Sequence, residues 1–148
     1  MENSFYNYPL LIKQLLISPL SSNPEQEIVD NENQRYDYKR LNTNIHTLAN
    51  ALRELGIKKG DTIGVMAWDT IRYLEFFFTI PMMGAILHTI NIRLSEQQIL
   101  YTINHADDDI LIVHHDFIQV IDKIRKKISR PIKIIPVSYT HLTLPTRY

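Results

Sequence analysis

The side chains best suited to chemistry are few and widely spaced. His88, Asn91 and Arg93 follow or end an apolar run, where parallel α/β sheets place binding groups. The competing role is structural: Asn91 and Arg93 hold a strand-to-helix turn through hydrogen bonds, and this is the preferred one. His105, His114 and His115 are metal ligands by type, but no patterned carboxylate accompanies them, which points to surface or helix-end histidines. Asp107-Asp108-Asp109 lacks the alternating ligands and the glycine of a calcium loop and reads as a solvated turn. Trp68 and the run Phe76-Phe77-Phe78 fit core or a subunit interface better than a cofactor box. Lys123, Arg125, Lys126 and Lys127 fit a solvated helix end. The four glycines, Gly56, Gly60, Gly64 and Gly84, are isolated, so no Gly/Ser/Thr-rich loop is present to cradle phosphates. The residues alone assign no catalytic, cofactor-binding or metal-ligating position.

These side chains need a scaffold, and the hydrophobic pattern supplies one. Pro9 can open a helix with Leu10, Leu11, Leu15 and Leu16 on one side, stopped by Pro19 and followed by a Ser/Asn/Pro loop. Two short strands, 27–29 and 35–38, flank the polar turn 30–33. Leu41, Ile45, Leu48, Ala49, Leu52 and Leu55 recur at helical spacing, with Gly56 as the stop. Apolar runs at 62–67, 85–90, 109–113 and 132–135 read as strands buried in a parallel sheet. Between them lie a helix with Ile71, Leu74, Phe77 and Phe78, capped by Asp69 or Thr70 and ended near Pro81. A second begins at the capping box Ser95-Glu96-Gln97-Gln98, and a third carries Phe117, Val120, Ile121, Ile124 and Ile128. Strands alternating with helices indicate an α/β fold built of right-handed βαβ units, preceded by a short helix and a hairpin.

Composition narrows the function classes. The 148 residues are 45% hydrophobic and 22% charged, with 16 basic and 16 acidic side chains, so no charge surplus favours nucleic acid or an anionic membrane. Cysteine is absent, which removes disulfides and thiolate metal sites. The first residues lack the basic and apolar regions of a signal peptide. The longest apolar stretch, 71–92, is broken by Arg72, Glu75, Pro81, Gly84, His88 and Asn91 and falls short of a membrane span. A cytoplasmic location is expected.

Residues 137–146 break the pattern, having neither a helical face nor a branched apolar core. Back-translated as GTC TCT TAT ACA CAT CTG ACG CTG CCG ACG, they resemble one frame of a common transposase-type sequencing adapter. The expectation is that native coding sequence ends at or near Pro136, that 137–148 is a non-native tail, and that 1–136 is a partial amino-terminal domain.

Several stretches in order resemble the start of the AMP-forming medium- and long-chain fatty-acyl-CoA synthetases. They are Arg35-Tyr36-Asp37-Tyr38, Leu48-Ala49-Asn50-Ala51-Leu52, Leu55-Gly56-Ile57-Lys58-Lys59-Gly60-Asp61 and Trp68-Asp69-Thr70 with Arg72-Tyr73-Leu74-Glu75. Ile80-Pro81-Met82-Met83-Gly84-Ala85, Leu87-His88-Thr89-Ile90-Asn91-Ile92-Arg93-Leu94-Ser95 and Tyr101-Thr102-Ile103-Asn104-His105-Ala106 complete the set. The resemblance spans residues 28–128 and implies the first part of the large domain of that fold. It implies two half-reactions for a whole enzyme: a carboxylate attacks ATP to give an acyl-adenylate and pyrophosphate, and the CoA thiol then displaces AMP. ATP, Mg²⁺, CoA and a fatty acid are the implied cofactors and partners, with a homodimer as the implied assembly. His88, Asn91 and Arg93 would then line the acyl or CoA path. The phosphate loop, the acidic ribose-binding motif and the catalytic Lys of the family lie outside these residues, so the chain alone is expected to be inactive. The rival is a free-standing, non-catalytic α/β module that binds a partner or small molecule.

Overall fold

The computed structural model describes residues 9–30 and 34–138. It opens with a 3-10 segment, Ile12–Leu16, that passes into helix α1 (Ile17–Ser22). Pro19 does not stop this helix. It falls in the first α turn, where an amide has no intrahelical acceptor to lose, and its carbonyl accepts the Asn23 amide at 3.0 Å. Leu16 anchors the segment against Leu41, Ile45 and Phe78.

Strands β1 (Glu27–Val29) and β2 (Arg35–Asp37) pair antiparallel, with Ile28 opposite Tyr36. Residues 31–33 of the expected turn lie outside the described residues. Asp37 ends the hairpin and caps helix α2 (Tyr38–Glu54), its carboxylate accepting the Arg40 amide at 2.8 Å. Tyr38 is therefore helical rather than the last strand residue. Leu41, Ile45, Ala49 and Leu52 form the buried stripe of α2. Gly56, at φ +90°, closes it: its amide bonds Arg53 O at 2.9 Å while the Ile57 amide bonds Leu52 O at 3.0 Å. These are the two hydrogen bonds of a Schellman motif, with buried Leu52 and Ile57 as its apolar pair.

The rest of the chain builds the sheet. Strand β3 (Thr62–Met66), helix α3 (Ile71–Met82), strand β4 (Ile86–Thr89) and helix α4 (Glu96–Ala106) come first. Strand β5 (Ile110–His114), helix α5 (Ile118–Ile124) and strand β6 (Lys133–Val137) follow. Short 3-10 turns, His115–Phe117 and Arg125–Lys127, flank α5. The strand order is β4-β3-β5-β6, and every neighbouring pair is parallel.

Alternation along β3 and β5 divides the core into two layers. Ile63, Val65, Ile110 and Ile112 face Leu52 of α2 and Phe76 and Ile80 of α3. Met66, Leu111 and Val113 face Ile99 and Ile103 of α4 and Ile121 and Ile124 of α5. Helices thus cover both faces of the parallel sheet, as its continuous apolar strands require. Among the described residues no helix is long and apolar enough to cross a membrane.

Three further expectations change. β4 is an edge strand with Ile86 exposed, because only β3 pairs with it among the described residues. Phe77 points outward while Phe76 and Phe78 are buried. β6 runs Lys133–Val137 rather than 132–135, with Val137 paired to His114; residues 139–148 lie outside the described residues.

Candidate functional site

The strand order reverses at β3. The chain leaves β3 for β4 on one side and returns, through α4, to β5 on the other. A crevice beyond the carboxyl ends of the strands follows from this topology, and such crevices hold ligands in open α/β sheets.

Here the crevice is a cleft of roughly 600 Å³, walled by 67–70 and Tyr73 after β3 and by 89–93 at the end of β4. Asn91 and Arg93 line it. Asn91 also serves the turn, its carboxamide oxygen accepting the Arg93 amide at 2.9 Å. Arg93 takes part in that turn only through its backbone; its exposed guanidinium has no hydrogen-bond or ion-pair partner among the described residues. Burial, then the nearby Asp69 charge, pushes the Tyr73 phenol up to about 12.

His88 is not in the cleft. It lies within β4, opposite Gly64, and its Nδ1 sits 2.8 Å from Oδ2 of Asp108. Asp108 is fully buried, and burial pushes its carboxyl above the usual carboxylate range while His88 pulls it back. The solvated-turn description therefore fits only part of 107–109. Asp107 takes a left-handed conformation at φ +53° to end α4. Asp109 accepts the Thr62 amide at 2.8 Å and pairs with Arg130. The three residues diverge into separate tasks, Asp107 through its backbone and Asp108 and Asp109 through their carboxylates.

Trp68 lines the cleft, 43% exposed, its indole N–H donating to Oδ2 of Asp116 at 2.7 Å and its ring 5.0 Å from that of Phe117. The same place gathers His114 and His115 beside Asp116, so a carboxylate does accompany two of the three histidines. His105 is elsewhere, stacked on Tyr101.

A second cavity of roughly 530 Å³ lies between β1 and the start of α3, lined by Ile28, Asp30, Thr70, Ile71, Leu74 and Phe77 among others. Thr70 holds the N-cap position of α3, yet its hydroxyl is buried without a partner and caps nothing. Asp30 does the capping from the hairpin, accepting the Ile71 amide at 3.3 Å. Nearby, buried Glu75 accepts from Tyr36 at 3.0 Å, Asn44 at 2.7 Å and Arg72 at 3.2 Å. This network joins the hairpin, α2 and α3. No local pattern announces the Tyr36 and Asn44 contacts of Glu75, the Asp30 cap or the Trp68–Asp116 bond, since each joins residues more than thirty apart in sequence.

Residues 19–145 match the AMP-binding enzyme family. The chain belongs to that family. Among curated relatives, the 3-methylmercaptopropionyl-CoA ligase of Ruegeria lacuscaerulensis is 33% identical over 133 residues, covering 87% of this chain and 25% of that one. The long-chain-fatty-acid–CoA ligase of Thermus thermophilus is 35% identical over 95 residues, 64% of this chain and 18% of that one. The chain thus spans about a quarter or less of the length of these relatives. A solved anthranilate CoA ligase in complex with anthranoyl-AMP shares the fold at TM-score 0.77 and 23% identity, over 88% of this chain and 26% of that one. A Mycobacterium tuberculosis fatty acyl CoA synthetase does so at 0.75 and 21%, over 84% and 26%.

Holding a nucleotide's phosphates calls for a cradle of backbone amides. Among the described residues the four glycines do not form one. Gly56 and Gly84 close helices, Gly60 lies in the turn before β3, and Gly64 is sealed inside the sheet. None of the four opens a nest of amides toward the cleft.

Proposed function

We propose that this chain forms the opening layer of the large domain of an ATP-dependent fatty acid–CoA ligase and does not itself adenylate a carboxylate. The observation that carries this is the pairing of ligase relatives at 33–35% identity with four glycines that are all committed to structure. ATP, Mg²⁺ and CoA serve the whole ligase through residues outside this chain, and a medium- or long-chain fatty acid is its acid substrate. Within the cleft, Arg93 offers a cation to an anionic substrate group, Asn91 sets the turn that presents it, and His88 steadies the strand behind it. The ligase works in the cytoplasm as a homodimer.

Two measurements test this. The purified chain, given ATP, Mg²⁺ and a fatty acid, should release no pyrophosphate. A long sequencing read across the codon for Pro136 should run on into a Gly-rich Ser/Thr loop. A read that reproduces 137–148 and then stops would instead make the chain a free-standing binding module. Light scattering of the complete ligase settles the dimer.

A further inference from the structure

At the end of β5 the chain turns at once. His114 is the last strand residue, and His115–Phe117 form a 3-10 turn. An extended residue followed by a tight turn folds successive side chains toward one another rather than to opposite faces. The rings of His114 and His115 lie 4.3 Å apart. His114 Nδ1 is 3.3 Å from Oδ2 of Asp116, and His115 Nε2 is 3.0 Å from Oδ1. One ligating atom from each of the three lies within 4.8 Å of the others.

The two histidine–carboxylate separations are of the size a small cation needs. Tetrahedral coordination with metal–nitrogen and metal–oxygen distances of about 2.0–2.2 Å sets ligand atoms roughly 3.3–3.5 Å apart. Two imidazoles and one carboxylate favour Zn²⁺, Ni²⁺ or Cu²⁺ over Mg²⁺ or Ca²⁺, which take oxygen ligands. The support around the group is already present. His114 is buried at the sheet end, while His115 and Asp116 stay exposed enough for an ion to reach them. The Trp68 indole donates to Asp116 Oδ2, the kind of outer hydrogen bond that orients a ligating carboxylate. The Asp116 amide makes a long contact to His114 Nδ1, at 3.4 Å, which a cation on that nitrogen would displace.

We propose that His114, His115 and Asp116 form a binding site for one divalent cation of the Zn²⁺ class, with its remaining coordination positions open to solvent. The site is independent of adenylation chemistry and lies against the cleft through Trp68.

Titration of the 148-residue chain with Zn²⁺ in a calorimeter tests it, alongside the visible spectrum of the Co²⁺-loaded chain. Trp68 is the sole tryptophan, so quenching by Cu²⁺ reports on this place alone. Saturable one-to-one Zn²⁺ binding is expected, weakened at least tenfold by His115→Ala and by Asp116→Asn and unchanged by His105→Ala. Trp68→Phe should weaken it roughly tenfold through loss of the outer hydrogen bond. Both ligand substitutions are at exposed side chains, and circular dichroism confirms that the variants fold. No saturable Zn²⁺ binding, or binding that survives both His115→Ala and Asp116→Asn intact, overturns the proposal.

Discussion

The carboxylate of Asp108 lies directly over Gly64. A Cβ added at Gly64 would stand 2.8 Å from Asp108 Oδ2, 2.6 Å from Leu111 Cδ2 and 3.0 Å from Ile90 Cδ1. The glycine is there because the buried His88–Asp108 pair and the α4 side of the core close down on β3 at that point. Gly64→Ala should cost about 1–3 kcal/mol of stability through overpacking, read from urea midpoints at constant slope.

Asp108 also gives the fold a pH signature. Its folded-state pKa is raised by burial, so the native state holds this proton more tightly than the unfolded chain. The associated stability is full below the unfolded carboxylate range and is lost as pH rises through the raised value. Asp108→Asn removes that dependence. The stability difference, wild type minus Asp108→Asn, should therefore fall as pH rises from about 4 toward neutrality; a difference that grows across that window refutes the assignment.

Tyr36 and Glu75 tie the hairpin to α3. Tyr36→Phe should cost about 1–3 kcal/mol, the value of a hydrogen bond to a charged group, and Glu75→Ala more, because Arg72 and Asn44 then lose their shared acceptor. A double-mutant cycle should return a coupling of roughly 1 kcal/mol or more between them.

At the alkaline end, burial and the Glu75 charge hold the Tyr36 phenol well above its usual pKa. Tyr73 is raised to about 12. Stability from both is complete below about pH 10 and declines above it as the unfolded chain sheds those protons first. Absorbance at alkaline pH should show two tyrosines that ionise late; Tyr36→Phe and Tyr73→Phe should each remove one.

Ser95 and Gln98 form the capping box of α4, with Gln98 N to Ser95 Oγ at 3.3 Å and Ser95 N to Gln98 Oε1 at 3.1 Å. Ser95→Ala should cost about 1 kcal/mol in a denaturant melt, and Ser95→Asp should recover most of it.

What the sequence makes legible is what is local. The Ser95 box, the Gly56 stop and the apolar stripes of α2 and β5 each depend on neighbours within a few residues, and each is found where its pattern places it. Pro19 misleads because a proline breaks a helix only beyond its first turn. β4 misleads because an apolar run does not say which strand sits at an edge. The site is less legible. Asn91 and Arg93 reach the cleft and His88 does not, because alternation along β4 turns its side chain toward Asp108, twenty residues away in sequence. Asp30 capping α3 and Trp68 meeting Asp116 are products of topology, and no spacing encodes them.

The two edges of the sheet are not equivalent. β6 carries Lys133 and Pro136, a charge and a missing N–H that deter any further strand. β4, with Ile86, Leu87, His88 and Thr89, carries neither. The sheet therefore has a blunted end and a growing end. At high concentration, self-association should proceed by strand addition at β4 alone, and a single Lys at Ile86 should suppress it.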